Sequence, residues 1–163
     1  MREKIIIDCD PGQDDAVALF LAMASSDELD ILGITAVAGN VPLELTQRNA
    51  RIICDIAGNE DMSVYAGCSR PMLLTLETAE NVHGLSGLDG VDIYEPAKKI
   101  NKMHAVDFII NTLKASADKS ITLVPTGPLT NIAMAIIKEP SILNNIKQIV
   151  LMGGAMRLSL IHI

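Results

Sequence analysis

At 163 residues the chain fits one domain with a sizeable core, and 49% hydrophobic but only 2% aromatic residues make that core one of Ile, Leu, Val, Ala and Met. A net charge of −7 with no Lys/Arg cluster argues against a nucleic-acid partner. No apolar run reaches transmembrane length and Met1-Arg2-Glu3-Lys4 leads straight into a strand, so the expectation is a cytoplasmic protein with no signal peptide and no membrane partner.

Ile5-Ile6-Ile7 reads as a buried strand, broken by the turn Pro11-Gly12. The run Ala16 to Ala24 then reads as a helix apolar almost all round and therefore buried. Ile31 to Ala38 is a second strand, ending in Gly39-Asn40. Val41 to Ala57 carries Leu45, Ala50, Ile53 and Ala57 at helical spacing, with Gly58-Asn59 as its stop. Ser63 to Ala66 is a short strand. Gly67 to Asn101 is rich in Gly and Pro and has little periodicity, a length of irregular chain that tends to be functional. A helix follows over Ala105 to Ala117, then a strand over Ile121 to Val124. Pro128 suits the first position of a helix running Leu129 to Lys138. Ile146 to Met152 is the last strand, closed by Gly153-Gly154. This alternation predicts an α/β fold, a mostly parallel sheet with helices on both faces. Cys9, Cys54 and Cys68 are odd in number without metal-type spacing and read as reduced, mostly buried thiols.

Asp8, Asp10, Asp14 and Asp15 crowd the first strand-turn-helix junction. Carboxylates this close repel and are tolerated with shared protons or a bound cation. Asp8 and Asp10 face the same way along a strand, Cys9 the other. Asp14 and Asp15 fall in the first helical turn, where the helix dipole favours negative charge. Hard oxygen donors suit Ca²⁺ or Mg²⁺ rather than zinc. Capping of the helix is the simpler reading, but four aspartates within eight residues exceed what a cap needs. In parallel sheets ligands bind beyond the carboxyl ends of the strands, and Asp10, Asn40, Thr126 and Met152-Gly153-Gly154 all fall at such ends.

Asp8-Cys9-Asp10-Pro11-Gly12-Gln13-Asp14-Asp15-Ala16 resembles the DxDPGxDDA signature of the inosine–uridine-preferring nucleoside hydrolases. Val124 to Asn131 is similar to the second signature of that family, Asn81 to Leu88 to its HGxxGL segment, and Met152-Gly153-Gly154-Ala155 to its MGGA. The resemblance runs from Lys4 to Ala155, about the first half of the family's domain. It implies a Rossmann-like nucleoside hydrolase fold, truncated here, and Ca²⁺-dependent hydrolysis of ribonucleosides to ribose and free base. By the same resemblance Asp10 ligates Ca²⁺ and acts as general base, Asp15 and the Thr126 carbonyl are further ligands, and Asp14 holds ribose hydroxyls. Asn40, His83 and Met152 would then lie beside the substrate, and Asp8 would support the cluster from behind. Each has a simpler reading: Thr126 as a helix cap, Asn40 as a turn residue, His83 as an exposed loop histidine, Met152 as core. The family also implies a homo-oligomer, dimer or tetramer, when complete.

After MGGA the family's ribose-holding Asn and Glu residues, a later Asp ligand and a His beside the leaving base have no counterpart here. Leu158 to Ile163 is instead similar to a translation of a transposon-based sequencing adapter end. Residues 1–157 are therefore read as the amino-terminal part of a nucleoside hydrolase domain and 158–163 as an artefactual tail. Two rivals stand beside this reading. A haloacid-dehalogenase-like phosphatase also opens with a strand and DxD, but it wants Thr or Val where this chain has Gly12 and lacks the following Asp pair. The other rival is a truncated product without activity.

Overall fold

The structure, a computed structural model, describes residues 2–154. The suspected tail over 158–163 lies outside the described residues. Five strands form one sheet: β1 (Glu3–Cys9), β2 (Leu29–Ala36), β3 (Val64–Ala66), β4 (Ile121–Pro125) and β5 (Ile146–Ile149). Their spatial order is β3-β2-β1-β4-β5, and every pairing is parallel. The helices are α1 (Gln13–Ala24), α2 (Leu43–Ile56), the single turn α3 (Glu80–His83), α4 (Ala105–Lys114) and α5 (Thr130–Lys138). From β1 the chain steps outward to β2 and β3, then returns across β1 to β4 and β5. The β1/β4 boundary is thus a topological switch point, where crossovers to either side leave a crevice above the strand ends.

Strand alternation divides the core between the two faces of the sheet. Ile6, Ile121 and Leu123 pack with Phe108, Ile109 and Leu113 of α4 and Ile132 of α5. Ile5, Ile7, Cys9 and Ile34 pack on the other face with Ala16 and Leu19 of α1 and Ala50 and Ile53 of α2. Tyr65 stacks on Phe108 with ring centroids 3.8 Å apart. The ring pair closes one face over Gly33, where a Cβ would collide with both rings. Cys9 and Cys54 are buried, Cys68 half-buried, and all three are free thiols. Among the described residues no helix is long and apolar enough to cross a membrane.

Several local expectations are corrected. α1 is not buried all round: Val17 and Leu21 are 67% and 69% exposed, because only the Ala16/Leu19 side meets the sheet. α4 ends at Lys114 rather than Ala117. α5 begins at Thr130, with Leu129 at its N-cap, so Pro128 lies in the approach to the helix instead of its first turn. β5 stops at Ile149, but the chain stays beside β4 through Val150 N–H to Leu123 O (2.9 Å) and Met152 N–H to Pro125 O (3.0 Å). The irregular segment after β3 contains α3 and a bridge between Tyr65 and Asn101.

Ile109 is fully buried in the α4 layer. Ile109→Ala is expected to destabilise the chain by about 3 kcal/mol through lost burial and the cavity left behind, measured by urea unfolding.

Candidate active site at the switch point

β1 ends in Asp8 and Cys9, and the backbone then turns through Asp10, Pro11 and Gly12 into α1. The turn is held by the protein's own acids and amides. Asp15, one turn into α1, accepts the Asp10 N–H at its Oδ2 (3.2 Å). Asn40, past the end of β2, donates its backbone N–H to Asp10 Oδ2 (2.7 Å) and its side-chain Nδ2 to the Asp10 carbonyl (2.9 Å). Past the end of β4, the Thr126 N–H donates to the Asp8 carbonyl (2.8 Å). Two glycines flank the Asp10 carboxylate: a Cβ on Gly39 or on Gly127 would run into it. The carboxylate is thus walled by bare backbone from both neighbouring strand ends.

Asp10, Asp14, Asp15, Asn40, His83, Thr126 and Met152 line one cavity of about 570 Å³. Asp14 is exposed at its mouth, while Asp10 and Asp15 are buried in its floor. Asp8 lies beneath. Its Oδ1 accepts from Thr35 Oγ1 (2.5 Å) and Asn131 Nδ2 (2.8 Å), while Oδ2 has no hydrogen-bond partner among the described residues. The simpler readings of three residues fall. Thr126 does not cap α5, whose N-cap is Leu129. His83 is only 8% exposed, and Met152 is 52% exposed instead of core.

Burial raises all three inner carboxyl groups. Asp10 is pushed up to about 8, by desolvation first and then by the Asp15 charge, against the pull of the Asn40 N–H. Asp8 rises to about 7, again through desolvation, with Asn131 and Thr35 holding it down. Desolvation and the Asp14 charge take Asp15 to about 6, although the nearby Thr126 side chain, whose Oγ1 has no hydrogen-bond partner among the described residues, and the Asp10 N–H oppose the rise. None of the ion pairs among the described residues involves these aspartates. A desolvated carboxylate with no Lys or Arg partner lacks positive charge, which a proton or a metal ion would supply. Among the described residues no group of three His, Cys, Asp or Glu side chains is arranged to hold a metal ion. Two carboxylates with Thr126 beside them form a partial set of hard oxygen donors, matching a hard cation in type while leaving most of its coordination to other oxygens.

Asn131 is a residue that sequence reasoning left out of the site. At the start of α5 and fully buried, it joins three strand ends. Its Nδ2 donates to Asp8 and to the Ala36 carbonyl of β2 (3.1 Å), and its Oδ1 accepts the Cys68 N–H beyond β3 (2.8 Å). Gly67 leaves it room, since a Cβ there would overlap the amide. Asn49 does similar work from α2, donating Nδ2 to the carbonyls of Pro11 (3.2 Å) and Ser86 (2.8 Å). The available signal was a polar amide on the inward face of an otherwise apolar helix, a position that needs partners when buried.

Comparison with known proteins follows the same lines. The pattern of the family described as inosine-uridine preferring nucleoside hydrolase matches residues 5–159. An inosine-uridine preferring nucleoside hydrolase of Leishmania major is 47% identical over 156 residues, covering 94% of this chain and 49% of that protein. The pyrimidine-specific ribonucleoside hydrolase RihB of Escherichia coli is 48% identical over 155 residues, covering 94% and 48%. The solved purine-preferring ribonucleoside hydrolase from Gardnerella vaginalis superposes with a TM-score of 0.86 at 40% identity, over 94% of this chain and 49% of the other. The chain spans about half the length of the curated relatives it matches.

Replacing Asn131 by Leu keeps the branched shape but leaves Asp8, the Ala36 carbonyl and the Cys68 N–H without their partner. Urea unfolding is expected to show a loss of about 3 kcal/mol, since each buried polar group left unpaired costs roughly 1–3 kcal/mol. A loss below about 1 kcal/mol would mean that water replaces the amide.

Proposed function

The chain belongs to the inosine–uridine-preferring nucleoside hydrolase family, and from that premise we propose that it forms the amino-terminal half of a Ca²⁺-dependent N-glycosidase releasing ribose and free base from ribonucleosides. The observation that carries this reading is the Asp10 carboxylate, desolvated and walled by Gly39 and Gly127 at the switch point, in the floor of a cavity roomy enough for a nucleoside. The phosphatase reading is not favoured beside this family match.

In the proposed site Asp10, Asp15 and the Thr126 carbonyl would hold the ion. Calcium bound there would lower the pKa of an attacking water and fix the sugar's hydroxyls. Asp10 would act as the general base toward the attacking water. Asp14, at the mouth, accepts hydrogen bonds from ribose hydroxyls. Negative charge in the floor stabilises the positive charge that develops on the sugar as the glycosidic bond breaks. Asn40 keeps the Asp10 carboxylate and backbone in register, Asp8 supports them from below, and His83 and Met152 border the substrate. Relatives described as inosine-uridine preferring, pyrimidine-specific and purine-preferring are alike over this half. That supports base choice residing in the remainder of the domain. Free, mostly buried thiols support a cytoplasmic setting, and a dimer or tetramer is proposed for the complete protein on the family resemblance alone.

Two outcomes test the proposal. Asp8, Asp10 and Asp15 have folded-state values of about 7, 8 and 6, all above the ordinary 3.8. The folded chain therefore binds more protons than the unfolded one. The stability these groups contribute is full below about pH 4 and lost as pH rises through the range of about 6 to 8. Without calcium the melting temperature should fall between about pH 5.5 and pH 8.5. Millimolar Ca²⁺ should raise it at pH 8.5 more than at pH 5.5, and Asp10→Asn should remove that response. Equal melting temperatures with and without Ca²⁺ at pH 8.5 would sink the metal assignment.

In the complete protein Asp10→Asn should lower ribose release from inosine and uridine by about a thousand-fold or more with the fold retained, as read by circular dichroism. The 163-residue chain alone should show no turnover. Its three donor groups, at most five oxygens, fall short of the six to eight that calcium takes, and the orientation lost with the others is worth several powers of ten in rate.

A further inference from the structure

Asn49 lies on the second turn of α2, fully buried, and it is not among the residues that line the cavity. Its Nδ2 stands 3.2 Å from the carbonyl oxygen of Pro11 and 2.8 Å from that of Ser86. Backbone carbonyls only accept, so the NH₂ group faces both and gives one hydrogen to each. Turned the other way, the amide would set its oxygen against two more oxygens. One of these carbonyls belongs to the turn that carries Asp10, the other to the segment that carries His83. A single side chain outside the cavity thus holds two of the stretches that line it.

Two glycines show how closely these parts meet. At Gly87, whose φ is +81°, a Cβ would stand 2.9 Å from Asn49 Nδ2 and 2.9 Å from Val41 Cγ2, so the segment runs with bare backbone against the amide. At Gly12 a Cβ would overlap the His83 ring, so turn and segment also touch directly. Ala50 and Ile53 fix α2 in the core, which gives the amide a rigid mount. We infer that Asn49 is a positioning residue for the reaction, setting the spacing between the Asp10 turn and the His83 segment. The reaction it serves rests on the proposed function. The tether itself is a property of the chain alone.

Asn49→Ala removes both donors. Amide hydrogen exchange of the 163-residue chain reads the tether at Gly87 and Asp89, whose N–H groups bond to the Gly84 and His83 carbonyls. Both should exchange about tenfold faster in Asn49→Ala, whereas Ile109→Ala, which weakens the fold elsewhere, should leave them unchanged. In the complete protein Asn49→Ala should lower kcat for ribose release from inosine by about a hundred-fold, the cost of misplacing reacting groups by about 1 Å. KM should move by less than about threefold, and Ile109→Ala should leave kcat of the folded protein unchanged. Gly87→Ala presses the segment off the amide while keeping Asn49, so it should reproduce the loss of kcat, and it carries the test if Asn49→Ala does not fold. The two substitutions together should cost less than their sum, because they act at one contact. Unchanged kcat in a folded variant, or a loss confined to KM, would overturn the positioning role. Unchanged exchange at Gly87 and Asp89 would overturn the tether. An unaltered complete protein without turnover would instead count against the hydrolase reading, on which the exchange measurement does not depend.

Discussion

Carboxylates taken out of water at the end of β1 are the constraint around which the rest of this structure is arranged. Asp8, Asp10 and Asp15 are buried within a few ångströms of backbone, and desolvation is the largest influence on each of them. Burying an uncompensated carboxylate costs several kcal/mol, enough to rival the net stability of a domain this size. The fold meets that cost with N–H groups from neighbouring strand ends and with proton uptake. A cation at the same point would meet it more fully, which links the stability of the half-domain to its proposed chemistry.

Side-chain amides perform the positioning around this cluster. Asn40, Asn49, Asn131 and Gln13 each join two or more segments, and each does so without adding charge to a site already crowded with negative groups. A Lys or Arg in any of these places would compete with a metal for the same carboxylates. An amide both donates and accepts, so one group can hold a carboxylate, a strand-end carbonyl and a loop N–H together, as Asn131 does. Segment 67–101, irregular though it is, is thereby pinned at Asn49, Gln13 and Asn40.

The exposed apolar residues follow a related logic. Val17 and Leu21 on α1, and Val150 to Met152 after β5, are unburied among the described residues although their local sequences read as core. Hydrophobic periodicity reports that a position is suited to burial, not which neighbour will bury it. For the same reason β5 ends at Ile149, short of the expected Met152: Val150 and Met152 keep β4 hydrogen bonds while leaving the strand pattern.

Local chemistry carried much of this protein in the sequence alone. A β-branched triplet followed by Pro-Gly dictates a strand and a break, the alternation of strands and helices dictates a parallel sheet, and four aspartates at one junction mark a site whatever the remainder does. These features depend on residues a few positions apart. The tertiary structure decided which aspartates are buried and what holds them. Asn131 reaches Asp8 across 123 residues of sequence, and His83 meets Gln13 across 70. Neither partnership leaves a periodic trace in the sequence, because each exists only once the chain beyond β3 has turned back toward β1. The crossover into β4 brings Gly127 against Asp10 opposite Gly39 of the β2 end, and burial between them raises its carboxyl group toward neutrality.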